Sequence, residues 1–160
     1  MSCLADKRQH LFVLSGARTR REYIRDSGEE QRWPTVGHGK TTSDAEREYG
    51  EETFTASEVA RTERSKTICG YFESDQFIPV HALDGDITVV VQSDSGVVRD
   101  GDQNHEVSPS DVVTVPAGTD RGIRADGERL ETVMVVSPPP TDAEHEPVRR
   151  GLKQNTFDPE

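Results

Sequence analysis

The sequence predicts an all-β domain, an antiparallel sandwich or barrel, over about residues 59–140. Two observations carry the prediction. Short β-rich runs recur at close, regular spacing, at 67–72, 77–82, 87–92, 96–99, 105–108, 112–115, 122–125 and 130–137. No helical segment of useful length separates them. The breaks are built from turn residues: Asp84-Gly85-Asp86, Ser93-Asp94-Ser95-Gly96, Asp100-Gly101-Asp102, Pro109-Ser110-Asp111, Pro116-Ala117-Gly118 and Asp126-Gly127-Glu128. Asp-Gly pairs mark hairpins because both residues tolerate the positive φ of a tight turn.

The flanks read differently. Residues 18–55 sustain neither a period of 2 nor one of 3.6, and 26–40 are polar and broken by Gly and Pro. Such a stretch buries too little apolar surface to offset the entropy of ordering it, so residues 1–58 are expected to form a flexible, polar extension. Trp33 is a lone aromatic within it. After the last run, Pro138-Pro139-Pro140 ends the strand because proline cannot donate to a ladder. Thr141-Asp142-Ala143-Glu144 has capping-box spacing, so residues 141–160 are expected to make one or two helical turns, limited by Pro147, and a polar tail.

Composition excludes whole classes. The chain has 160 residues, 31% hydrophobic and 31% charged, with 19 Lys+Arg against 30 Asp+Glu, a net of −11. So acidic a chain is not a phosphate-backbone binder, whose affinity comes from Lys and Arg. Apolar runs such as 11–14 and 89–91 fall far short of the roughly 20 residues that span a bilayer. The charge is uneven: residues 1–50 carry a net of +1 and residues 51–160 a net of −12. The only lysines are Lys7, Lys40, Lys66 and Lys153. A carboxylate-rich, lysine-poor surface resembles the proteins of salt-loving archaea, though an ordinary acidic protein fits equally well. Cys3 and Cys69 are too far apart for a metal-ligand spacing or a disulfide framework. The apolar run at 11–14 is too short for a signal peptide, and a reduced, cytoplasmic setting is expected.

Three pieces of the barrel region carry a family resemblance. Phe77-Ile78-Pro79-Val80-His81 resembles the start of the first cupin motif, in which a strand delivers a histidine into the barrel. Gly101-Asp102 and then Pro109-Ser110-Asp111-Val112-Val113 resemble the turn and strand before the second. Pro116-Ala117-Gly118-Thr119-Asp120-Arg121-Gly122 matches the Pro-x-Gly-x-x-His opening of the second motif except at its last position. The resemblance covers about half the chain. It implies a small single-domain cupin, an RmlC-like jelly-roll barrel or double-stranded β-helix, with a flexible N-terminal extension and a short helical tail.

The resemblance also implies a site. Metal-binding cupins supply three histidines and a carboxylate, a set that suits a divalent transition metal. Here His81 stands at the first position, Leu83 at the second, Asp86 or Ile87 at the carboxylate position, and Arg121 at the second-motif histidine. His81 and Asp86 are therefore an incomplete metal set. A guanidinium would repel a cation in a low-dielectric barrel. Arg121 is thus expected either to replace the metal, reaching Asp86 or an anionic ligand, or to point outward in a structural ion pair. If it faces inward, strand parity puts Ile123 and Ala125 on the same face, and His81, Arg121 and Ile123 become the ligand-binding set.

The remaining histidines and carboxylates attract less weight. His105 has solvated flanks, and His10, His38 and His145 lie outside the barrel. Glu73, Asp84 and Asp86 form a candidate acidic rim for a hard cation, or simply an acidic surface. Neither Ser15-Gly16 nor Ser95-Gly96 sits in a nucleophile elbow.

The expected function is therefore small-molecule binding inside the barrel, without nucleic acid or membrane. A metal-dependent oxygenase or isomerase is the enzymatic alternative. A regulatory module, whose extension orders on a partner and whose barrel survives deletion of residues 1–55, is the third. Edge strands are expected to pair in a homodimer.

Overall fold

The computed structural model describes residues 40–159. The expectations for Cys3, His10, the apolar run at 11–14, Trp33 and His38 fall outside these residues. The chain order is a one-turn helix α1 (Ser43–Glu46), then β1 (Thr55–Arg61), β2 (Lys66–Phe72), β3 (Phe77–His81), β4 (Asp86–Asp100), β5 (Gln103–Val107), β6 (Val112–Val115) and β7 (Arg121–Ser137). A 3-10 turn (Ala143–His145) and helix α2 (Glu146–Lys153) follow.

All strand pairs are antiparallel, and together they make a jelly-roll barrel. Two predicted breaks turn out to be bends inside long strands. The runs at 87–92 and 96–99 are one strand, β4, and those at 122–125 and 130–137 are one strand, β7. The first half of β4 pairs with the end of β7 and with β6, while its second half pairs with the start of β7 and with β5. Register shifts between Val91 and Ser93 and between Asp94 and Gly96 mark the change. Asp94 and Gly127, both at positive φ, stand at this level on β4 and β7. The turn chemistry is present as the sequence predicts, but it serves a barrel corner, where a bulge re-aims a strand without ending it.

Gly96 is required at that corner by space. A Cβ there would stand 2.4 Å from the Arg124 carbonyl oxygen and 2.7 Å from Leu130 Cδ2. Gly96→Ala is expected to lose about 3 kcal/mol of stability through overpacking against backbone, seen as a lower denaturant midpoint with an unchanged slope.

Strand alternation then fills the lumen. Ile87, Val89 and Val91 of β4 are buried between less buried neighbours, and Ile123 and Ala125 of β7 face them from the opposite wall. Ile68, Ile78, Val98, Val115, Met134 and Val136 complete this core. Each such side chain contributes about 1.5–3 kcal/mol by leaving water.

The two flanks differ in detail from the expectation. The sheet begins at Thr55, not at residue 59. Ahead of it, residues 43–54, expected to be flexible, lie packed against the sheet. Arg47 Nε and Tyr49 Oη each donate to Glu131 Oε1 at 2.6 Å, and Tyr71 Oη donates to the Ser43 carbonyl at 2.6 Å. Gln76 Nε2 donates to the Gly50 carbonyl at 2.8 Å, and Phe54 stacks on Phe72 at 5.3 Å. A polar segment without periodicity orders here because its hydrogen bonds have buried partners on the sheet. Burial alone would push the Glu131 carboxyl up, but the bonds from Arg47 and Tyr49 outweigh it and hold it below the usual range.

At the other end, Pro147 does not limit the helix. It sits in the first turn of α2, where its missing N–H costs nothing, and the helix runs on to Lys153. The helix packs on β3. A Cβ on Gly151 would lie 2.5 Å from Pro79 Cβ, and Val80 N donates to the Phe157 carbonyl at 2.6 Å.

Candidate functional site

The site is built by two neighbouring strands at one end of the lumen. β3 and β7 pair so that His81 lies opposite Arg121 and Ile78 opposite Ile123. Parity then turns Arg121, Ile123 and Ala125 inward together. Arg121 is 3% exposed and His81 8%. Both line a cavity of about 40 Å³, walled by Ile123, Ile87, Val89 and Val98 among other aliphatic side chains. The three expected ligand-binding residues, His81, Arg121 and Ile123, are thus brought to one cavity.

Arg121 divides its donors. Nη2 donates to the Gly85 carbonyl and to that of Pro116 at 3.2 Å, with the Leu83 carbonyl at 3.5 Å. Those contacts tie the β3–β4 turn to the β6–β7 turn. Nε and Nη1 are buried and have no hydrogen-bond partner among the described residues. Burial lowers the affinity of the guanidinium for its proton, and only the charge of Asp86 works the other way. A buried guanidinium with unmet donors is expensive, since each buried unpaired donor costs about 1–3 kcal/mol.

His81 is held by its own strand. Nδ1 lies 2.7 Å from the Pro79 carbonyl. A carbonyl can only accept, so Nδ1 carries the proton and the neutral ring leaves Nε2 as a lone pair. Burial pushes its pKa down, and Arg121 adds to this, while the Pro79 carbonyl and Asp120 oppose it.

Asp86, the expected carboxylate of the metal set, is exposed and lies outside the cavity lining. Its Oδ1 accepts from Ala117 N at 2.9 Å and so pins the β6–β7 turn. Leu83, at the second histidine position, is buried and lines the cavity with hydrocarbon. The donors present do not fit the transition metal that the cupin resemblance implies. Beside His81 stands a guanidinium, and among the described residues no three His, Cys, Asp or Glu side chains gather as a metal group. Of the candidate rim, Glu73 is bound to Arg129 at 2.8 and 2.9 Å. His105 lies 3.5 Å from Asp100.

One lining residue departs from the sequence expectation. His145, expected outside the barrel, is 3% exposed and lines the same cavity, together with Pro140. The only sequence signal is the capping-box spacing before it. Glu144 Oε2 accepts from Thr141 N at 2.7 Å and from Thr141 Oγ1 at 2.9 Å. Its Oε1 accepts from Asp84 N at 3.2 Å, which ties the C-terminal turn to the β3–β4 turn.

No family model and no curated protein matches the chain. Solved structures do. A protein of Thermus thermophilus superposes with a TM-score of 0.61 at 21% identity, over 63% of this chain and 98% of that one. An uncharacterised protein of Klebsiella pneumoniae with a double-stranded β-helix domain gives 0.58 at 22%, over 62% and 89%. An RmlC-like cupin protein of Desulfovibrio desulfuricans gives 0.56 at 25%, over 64% and 99%. These likenesses establish the fold. Among the described residues, no helix is long and apolar enough to cross a membrane.

Proposed function

We propose that this domain, a cupin-type jelly-roll barrel, binds a small organic anion of the carboxylate class in its lumen, with Arg121 as the principal contact. One observation carries the reading. A guanidinium 3% exposed faces the cavity with Nε and Nη1 unpartnered among the described residues. Folding does not leave such donors unmet without cost, and a carboxylate supplies both the charge and the acceptors. The aliphatic walls exclude water and strengthen the attraction. The cavity lining holds no serine, cysteine or carboxylate beside Arg121, so the arrangement favours binding over a reaction. Calorimetric titration with acetate tests it. Micromolar to millimolar binding that is lost in Arg121→Leu is expected, and equal binding by both proteins would refute it.

His81 gives the same site a pH dependence. In the free protein its pKa lies below the ordinary value of about 6.5. The unfolded chain therefore binds more protons, and His81 withdraws stability as pH falls through about 6.5 toward its folded value. A bound anion reverses the local field and raises the pKa, so binding takes up a proton at Nε2. Acetate affinity is expected to rise several-fold from about pH 7.5 to about pH 5.5, with proton uptake seen as a buffer-dependent heat. His81→Gln should flatten that profile.

A further inference from the structure

Resting on the anion-binding reading, the geometry points to the C-terminal segment as part of the site: His145 is its third contact, and the segment carrying it sets the size of ligand accepted. The barrel contributes two polar side chains to the cavity, His81 and Arg121, from adjacent positions on β3 and β7. The third polar side chain in the lining, His145, arrives from beyond the last strand. It is delivered by a segment fastened at both ends. On one side Glu144 joins Thr141 to the Asp84 amide of the β3–β4 turn. On the other, Val148 of α2 is fully buried in the barrel core, and Phe157 packs edge-on against Phe77 and lies under the Arg124 guanidinium. An imidazole held in this way is placed as firmly as one on a strand.

Space then selects the ligand. The cavity offers about 40 Å³, and a single water needs about 10–15 Å³. About three or four water-sized groups fit, which matches the four heavy atoms of a carboxylate with a methyl attached. An aromatic or sugar ring does not fit while His145 and Pro140 occupy the lining. Basic groups from β3, β7 and the C-terminal turn thus surround one small anion, and the turn decides what else comes with it.

The test compares acetate with benzoate by calorimetric titration on the full chain. Wild type is expected to prefer acetate at least tenfold. His145→Ala removes a contact and enlarges the cavity. Acetate should weaken about tenfold, as for loss of a charged hydrogen bond, while benzoate binding is retained or improved. His145→Gln, which keeps a donor of similar size, should stay within a few-fold of wild type for acetate. His145→Phe, which fills the space without a donor, should lose acetate and still exclude benzoate, and these two variants carry the test if the alanine variant fails to fold. Arg121-dependent acetate binding whose preference over benzoate is unmoved by all three substitutions overturns the role of His145. A wild type that binds neither anion overturns the anion-binding reading itself.

Discussion

Arg121→Leu is expected to abolish anion binding, by at least about 100-fold, while leaving the fold intact. Two effects on stability oppose each other in the free protein. Leucine removes a buried charge whose desolvation costs several kcal/mol. It also removes the Nη2 bonds to the Gly85 and Pro116 carbonyls, worth about 1.5–3 kcal/mol each when the donor is charged. The two are of similar size, so the free variant should melt close to wild type. Ligand separates them. At about 100 times its dissociation constant an anion stabilises wild type by about 2.7 kcal/mol, a rise in Tm on the order of 10 °C for a domain of this size. The leucine variant should show no rise. Arg121→Lys distinguishes a clamp from a receptor. Its compact ammonium can still serve the turn carbonyls but leaves no second face for a ligand, so stability should hold while binding falls. If the lysine variant bound acetate as well as wild type, the unpartnered Nε and Nη1 would have no part in recognition.

Deleting residues 1–54 is expected to unfold the barrel or to strip more than about 5 kcal/mol from it, the sum of one large cavity and several orphaned buried polar groups. The strap of residues 43–54 covers groups on both faces of the sheet. Phe54 is 4% exposed and stacked on Phe72, itself fully buried. Phe54→Ala alone should cost about 3–5 kcal/mol by the cavity it leaves. Glu131 loses its hydrogen bonds from Arg47 and Tyr49 and faces solvent from the middle of a sheet. The Tyr71 hydroxyl loses its acceptor at Ser43. Circular dichroism with a denaturant melt reads the outcome. A deletion variant that melts like the full chain would return these residues to the status of a dispensable extension, as their composition suggests. Because carboxylates such as Glu131 are held ionised in the fold, their contribution is present above about pH 4.3 and is lost on further acidification. The strap should therefore loosen in acid.

Much of the barrel is legible in the sequence because its signals are local. Asp100-Gly101-Asp102 predicts a hairpin, and Asp100 pairs with Gln103 across it with Gly101 at φ 62°. The run at 112–115 is β6 residue for residue. The inward face of Arg121 and Ile123 follows from period-2 alternation once one residue of β7 is anchored. What misleads is equally physical. A Gly-containing turn signature marks positive φ, and positive φ serves a bulge in a continuing strand as well as the end of one. Ser93-Asp94-Ser95-Gly96 therefore reads as a break when it is a corner.

The strap and the C-terminal turn are not legible because their stabilising partners are far away in sequence. Arg47 and Glu131 are 84 residues apart, and Asp84 and Glu144 are 60 apart. Residues 43–54 have no hydrophobic period to recognise, and their order comes from complementary polar groups that exist only on the assembled sheet. His145 likewise carries no local mark of function. It enters the cavity because Glu144 and Val148, on either side of it, find partners on the barrel.

By itself the sequence determined most of the β segments, the turn chemistry, the barrel class and the guanidinium set where cupins place a histidine. All of these depend on residues near one another along the chain or on the two-residue period of a strand. Only the tertiary structure decided that this guanidinium keeps two nitrogens unsatisfied over a cavity of about 40 Å³, that Asp86 is exposed and bonded to the Ala117 amide outside the cavity lining, and that a histidine from the tail joins that lining. Those outcomes depend on which distant segments come together, and spacing along a single chain does not encode that.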